Sequence, residues 1–334
     1  MIKAMSQVDY QLFTTLAKMN QITLLKSLRK YLKKNYPEDK MIINQDYILC
    51  EGNIPVMLIA HMDTVFKKPP KEIFYDQQQR VIWSPQGLGA DDRAGVFAIL
   101  KILQKGYRPH ICFTTEEERG GIGASLLINR IPKAPFDIKY IIELDRQGLC
   151  DCVFYDCDNE KFTEYVENFG FITDWGTFTD ISIICPVWKI AGVNLSVGYR
   201  DEHSIQEILN INGLFNTINN VCKMLDDIQN APYFEYIENP EAQYYRWYEK
   251  YLGLYPEEDD YKFYSSNIKY QCCKCHKDYP EEDIFLVKTK CGTGKKYYCL
   301  NCVDSHIAWC SVCGEPFETD DENENICFDC KEKK

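Results

Sequence analysis

No run in this chain approaches eighteen consecutive apolar residues, so no helix is expected to cross a membrane. The first residues, MIKAMSQVDYQLF, lack the apolar core of a secretory leader. Positive charge is short: 38 Lys plus Arg stand against 50 Asp plus Glu, a formal net charge of −12. Phosphate-rich surfaces would be repelled, which argues against a nucleic-acid or membrane-surface binder. The expected compartment is the cytoplasm. Repeats are lacking too, apart from pairs of C-x-x-C.

The 334 residues, 45% of them hydrophobic, allow one large domain with a real core and a smaller one. Residues 7–35 place Leu12, Leu16, Met19, Ile22, Leu25, Leu28 and Leu32 roughly on one helical face, up to the break at Pro37. A short strand is expected over 41–50. IPVMLIA (54–60) reads as a strand buried on both faces. After a polar loop, VIW (81–83) is a short strand and Asp92 to Gln104 a helix. HICFTT (110–115), KYIIEL (139–144) and NLSV (194–197) are further strands. Gly123 to Asn129 is a helix, and Ser204 to Ile228 a long closing one. Strands alternating with helices imply an α/β fold, a mostly parallel sheet sandwiched by helices, with sites beyond the carboxyl ends of the strands. The expected domains are a catalytic one over 1–230, an acidic tyrosine-rich linker over 231–268, and a cysteine-rich one over 269–334. The linker is expected to pack along the catalytic domain, with one helix at 240–252.

Five motifs fall at or near strand ends: HMDTV (61–65), GLGADDRAG (87–95), TTEEERGG (114–121), IIELDRQG (141–148) and GYRDEHS (198–204). Two divalent ions about 3.5–4 Å apart can polarise a carbonyl and activate a water. Such a pair needs one bridging carboxylate, with a His and a carboxylate completing each ion. Asp91 would bridge, His61 and Asp145 would complete one side, and Glu118 and His203 the other. Glu117 is then free to act as general base, and Asp63 could hold the His61 ring. Taken singly, each residue also fits a blander role, Asp91 and Asp92 as caps of the helix that follows.

These motifs resemble those of the co-catalytic di-zinc exopeptidases, the clan of peptidase T, the glutamate carboxypeptidases and the tetrahedral aminopeptidases. The resemblance covers about residues 54–210. It implies a zinc exopeptidase-like fold with two catalytic Zn2+, or Co2+ or Mn2+. It aligns Glu117 as base and Glu118 as ligand, with a one-residue ambiguity toward Glu116 in the triple glutamate. Clan members with a lid insert a whole domain between the elements matched here by Asp145 and His203; only 58 residues separate the two. A single catalytic domain without a lid is therefore expected. GTFTDIS (176–182) brings Asp180 into consideration as a substrate-side residue, and Arg200 as a partner for a substrate carboxylate. The implied activity is hydrolysis of amide bonds in small peptides or N-acyl amino acids. The alternative is an inactive peptidase-fold adaptor.

Of 17 cysteines, ten fall between Cys272 and Cys330. Eight form the pairs Cys272/Cys275, Cys299/Cys302, Cys310/Cys313 and Cys327/Cys330. In a chain without a secretion signal these read as ligands of about two structural Zn2+ in a small zinc-ribbon or zinc-finger-like domain. Sequential and cross-braced pairing are both open, and Cys273, His276, Cys291 and His306 are alternate ligands. Residues 269–334 hold 10 Lys, no Arg and 13 acidic residues, and each four-thiolate site would add negative charge. A protein partner is thus expected there rather than nucleic acid. Cys50, Cys112, Cys185 and Cys222 lie in apolar runs and read as core thiols. Cys150, Cys152 and Cys157 form a loose cluster that could be a third metal site.

Overall fold

In the computed structural model the run Ile54–His61 becomes strand β3, buried along its last six residues. The structure describes residues 5–240, 269–280, 284–290, 294–299, 302–303, 307–310, 316–319 and 326–331. The chain divides into two compact units, Met1–Leu254 and Tyr255–Lys334.

In the first unit β3 lies at the heart of an eight-stranded sheet. The other strands are β1 (Met41–Ile43), β2 (Tyr47–Cys50), β6 (Pro109–Thr114), β7 (Tyr140–Arg146), β8 (Asp151–Val153), β9 (Ile172–Thr173) and β10 (Gly192–Ser196), in the order β1-β2-β6-β3-β7-β10-β8-β9. The four central strands, β6-β3-β7-β10, are parallel to one another. Their residues are buried on both faces, which explains the unbroken apolar runs. β2 and β8 join antiparallel on either side.

Successive side chains of β3 point to opposite faces. Met57 and Ile59 pack with Ala124 and Leu127 of α4 (Ile122–Arg130) and Ile181, Ile184 and Trp188 of α6 (Asp180–Trp188). On the other side lies α3 (Ala90–Gln104), buried along almost its whole length, with α1 (Gln7–Ala17) and α7 (Ile211–Asp226) packed on it. Gly95 of α3 lets the helix approach β7: a Cβ there would meet the Leu144 carbonyl oxygen at 2.0 Å.

Three expectations change. The periodicity over 7–35 is two helices, α1 and α2 (Gln21–Leu32), because Asn20 caps α2 by accepting from the Thr23 N–H at 2.8 Å. The segment 41–50 is a hairpin rather than one strand. The helix expected from Ser204 begins only at Ile211. There the Asn210 side chain accepts from the Asn212 and Gly213 N–H groups. Before it, β12 (Ile208–Asn210) joins β11 (Tyr199–Arg200), β5 (Val81–Trp83) and β4 (Phe74–Asp76) in a second, four-stranded sheet. Between Asp145 and His203 the chain supplies β8, α5 (Glu160–Glu167), β9, α6, β10 and β11, all of them parts of these two sheets and their helices. Residues 231–239 run along this unit, with Phe234 buried against Phe162 and Tyr140. The helix expected at 240–252 lies outside the described residues except for its first one.

The second unit contains a two-stranded sheet, β13 (Lys269–Gln271) with β14 (Asp278–Pro280). It also contains a four-stranded one from β15 (Ile284–Lys288), β16 (Lys295–Cys299), β17 (Ile307–Trp309) and β18 (Pro316–Glu318), in the order β16-β15-β18-β17.

Candidate metal centre

Three of the four central strands, β3, β6 and β7, deliver parts of one cluster at or just past their carboxyl ends. β3 ends on His61, which is fully buried. β6 leads into the 3-10 turn Glu117–Arg119, entered through Glu116 in the left-handed region (φ 55°). Asp145 is the penultimate residue of β7. His203 follows β11 in a turn and is also left-handed (φ 61°). Non-glycine residues in that region are strained and persist where the surrounding structure holds them.

Asp91 stands between two half-sites. Its Oδ1 lies 3.0 Å from His61 Nε2, and its Oδ2 lies 3.1 Å from His203 Nε2. Beyond His61 is Asp145 Oδ1 at 3.4 Å; beyond His203 is Glu118 Oε2 at 2.9 Å. His61, Asp91 and Glu118 offer ligand atoms within 4.8 Å of one another, as do His61, Asp92 and Asp145. Asp92 is otherwise engaged: its carboxylate accepts from the backbone N–H groups of His61 and Gly95 at 3.3 and 2.8 Å. Adjacent aspartates thus have different tasks, one facing the cluster and one pinning α3 to β3.

A second ring of groups holds the first. Asp63 Oδ1 lies 3.1 Å from His61 Nδ1, and its two oxygens accept the Glu117 and Glu118 N–H groups, each at 3.1 Å. Tyr199 and Thr179 donate hydroxyls to the two oxygens of Asp145 at 3.0 and 3.1 Å. Glu207, 1% exposed, accepts the N–H groups of Gly89 at 2.5 Å and Asp91 at 3.0 Å. It fixes the turn that presents Asp91. Arg93 is buried and donates to four backbone carbonyls: Leu16, Met19, Met62 and Asp63. It ties the α1–α2 turn to the loop after His61.

The electrostatics follow from crowding carboxyls out of water. Burial, then the charges of Asp145, Asp180 and Asp91, push Glu117 up to about 9 against the pull of His61. Burial likewise pushes Glu118 up to about 7 and Asp145 to about 6. Asp91 is driven down despite its burial, by hydrogen bonds to His203 and His61. Burial works against a charged His61, but Asp145 and Asp63 raise it well above its ordinary value. His203 rises to about 9, first through Asp91. Glu118 Oε1 is buried with no hydrogen-bond partner among the described residues. Imidazoles with excess carboxylate and an orphaned buried oxygen form a donor set that fits divalent cations.

Of the remaining expected residues, Glu116 turns away to pair with Arg119 at 2.7 Å and Gln21 at 2.9 Å. Asp180, fully buried at the start of α6, accepts the Thr114 hydroxyl; its Oδ1 has no hydrogen-bond partner among the described residues, and its charge bears on Glu117. Arg200 is exposed on β11 and makes no side-chain hydrogen bond or ion pair among the described residues. Glu207, Arg93 and Tyr199 were missed by the sequence reading. Arg93 and Tyr199 stand inside two of the five motifs without being assigned a role, and Glu207 is a lone acid in an otherwise neutral stretch four residues past His203.

In the second unit Cys272, Cys275, Cys299 and Cys302 converge, with Cys275 Sγ 3.9 Å from Cys299 Sγ. The first two C-x-x-C pairs therefore share one site, which is sequential rather than cross-braced. The N–H of Lys277, then the Tyr279 hydroxyl, pull the Cys275 thiol down to about 6. Burial and its neighbouring cysteines push Cys302 to about 12. Cys310, Cys327 and Cys330 form a second group. Cys313, Cys291 and His306 lie outside the described residues. Cys150, Cys152 and Cys157 join no metal-ligand group among the described residues. Cys50, Cys112, Cys185 and Cys222 are buried free thiols.

No protein-family model matches this sequence, and no curated protein matches it. Its fold does have solved counterparts. A tripeptidase from Staphylococcus aureus matches with a TM-score of 0.52 at 16% identity, over 68% of this chain and 100% of that one. Aminopeptidase PepT from Bacillus cereus matches at 0.51 and 15%, over 68% and 100%. A TET aminopeptidase from a marine sediment archaeon of the Thaumarchaeota matches at 0.52 and 13%, over 67% and 99%. The chain thus has the mixed α/β fold of these peptidases, with cysteine clusters added in its tail. Among the described residues no helix is long and apolar enough to cross a membrane.

Proposed function

We propose that this protein is a metal-dependent hydrolase that cleaves amide bonds of small peptides or N-acyl amino acids at a two-ion centre. The observation that carries the reading is the Asp91 carboxylate, with one oxygen turned to each imidazole. His61 and Asp145 would hold one ion, Glu118 and His203 the other, and Asp91 both. Zinc, cobalt and manganese all suit such ligands. When bound, two divalent ions supply Lewis-acid polarisation of the scissile carbonyl and a water acidic enough to attack at neutral pH.

The chain's own groups do the rest. Glu117, adjacent to a ligand but with its carboxyl uncommitted, would be stripped of its own proton by the field of two bound cations, and would then receive the proton of the attacking water and return it to the leaving nitrogen. Asp63 fixes the His61 ring so that Nε2 faces the centre. Thr179 and Tyr199 orient Asp145. In the tail, Cys272, Cys275, Cys299 and Cys302 would hold one structural zinc, and Cys310, Cys327 and Cys330, with Cys313, a second. Such a module would offer a protein partner a rigid surface. The presence of Glu117 beside a complete ligand set favours an enzyme over an inactive adaptor.

Two measurements test the proposal. Metal content should be about four ions per chain, two for each unit. Glu117→Gln should lower turnover of a peptide panel by at least about a hundredfold with metal content unchanged. Unchanged turnover in that variant would overturn the mechanism.

A further inference from the structure

A cavity of about 430 Å³ opens beside the metal centre. Asp63 and Glu118 contribute to its wall, so whatever fills it adjoins the cluster. Its other walls come from the α1–α2 turn and from the loop Thr64 to Pro70. Seven charged side chains line it, and five are already engaged. Asp63 is held by His61 and two backbone N–H groups, and Glu118 by His203. Glu116 pairs with Arg119, and Arg93 is committed to four carbonyls. Lys67 and Lys68 are left. Both are exposed, and neither has a side-chain partner among the described residues. In a unit dominated by acids, two uncompensated ammonium groups on the rim of a cavity that adjoins the centre are a place for a ligand's negative charge.

We propose that this cavity is a substrate subsite and that Lys67 and Lys68 select substrates ending in a free carboxylate, such as short peptides with an unblocked C-terminus. The inference rests on the hydrolase reading above, since that reading puts the scissile amide at the cluster and the remainder of the substrate in the cavity. Arg200, suggested by the sequence for the same task, is not among the residues lining it.

The test uses the full metal-loaded chain and a panel of tripeptides, each as the free acid and as the C-terminal amide. Binding is followed by calorimetry on Glu117→Gln, and turnover on the wild type. The acids should bind about tenfold more tightly than the amides, in keeping with two partly exposed ion pairs. The preference should shrink as salt is raised. In Lys67→Met/Lys68→Met it should fall to within about twofold, with the loss in turnover carried by KM rather than kcat. Equal binding of acid and amide, or no binding of either, would overturn the subsite. A preference that survives the double substitution would overturn the role of the lysines. A preserved acid preference with no hydrolysis of any peptide would refute the hydrolase reading and leave the subsite standing.

Discussion

Raising the pH of the metal-free protein from 5 to 8 should weaken its fold, against the trend of proteins whose carboxylates are salt-bridged. Glu207 shows why. Its carboxyl is pushed up to about 7 by burial, which outweighs the N–H groups donated to it by Asp91 and Gly89. The move from an ordinary Glu near 4.5 to about 7 corresponds to roughly 3 kcal/mol. The folded value lies above the unfolded one, so between the two the folded chain keeps a proton that the unfolded chain has released. That stabilisation is complete below about 4.5 and is lost as pH rises through about 7. Glu118 and Asp180, each pushed chiefly by burial to about 7, and Asp145 to about 6, act in the same direction. They share one field and do not simply add. Urea unfolding followed by far-ultraviolet circular dichroism reads this unit, which holds helices α1 to α7. Glu207→Gln should remove about the first 3 kcal/mol of the slope. A saturating divalent ion should oppose the slope, by about 2.7 kcal/mol per ion at a hundredfold excess over Kd. Metal-free stability that is flat or rises between pH 5 and 8 would refute the crowding of carboxyls described above.

Three other outcomes are expected. His203→Ala should lower the catalytic metal content by about one ion per chain, since the His203 ring pairs with Asp91 and Glu118 while His61 and Asp145 keep their half; full retention by mass spectrometry would refute the division into halves. Cys299→Ser should cost about one zinc from the tail and none from the first unit, and loss of both tail ions would argue against two separate sites. Gly95→Ala should destabilise by about 1–3 kcal/mol or more through overpacking; a Cβ there would meet Leu144 O at 2.0 Å and Asp92 Oδ2 at 2.4 Å, and an unchanged unfolding midpoint would contradict that approach.

Much of the centre was legible because it sits where a parallel sheet must end. Apolar runs long enough for doubly buried strands fix where β3, β6 and β7 stop, and His61, Glu118 and Asp145 stand at or just past those stops. What was not legible depends on long-range pairing. β12 is three residues long, and its partner β5 lies more than a hundred residues earlier. Without that pairing in view, helical periodicity was carried backward from α7 to Ser204. Glu207 and Arg93 act on backbone N–H and C=O groups, which have no identity in a sequence. The α1–α2 break rests on one capping side chain, Asn20, inside a continuous apolar stripe.

The two kinds of candidate metal cluster differ in when they could form. Cys272, Cys275, Cys299 and Cys302 lie within 31 residues, so one closed loop of chain brings them together, and an ion can arrive while the segment is still finding its shape. His203 lies 112 residues after Asp91, and Asp145 lies 84 after His61. His61 and Asp145 meet only once β3 has paired with β7, and His203 joins Asp91 only when the chain through residue 210 has arrived and β12 has paired with β5. An ion there would be a late arrival, added to a completed molecule. A nascent or truncated chain lacking that last stretch would have nowhere to keep it.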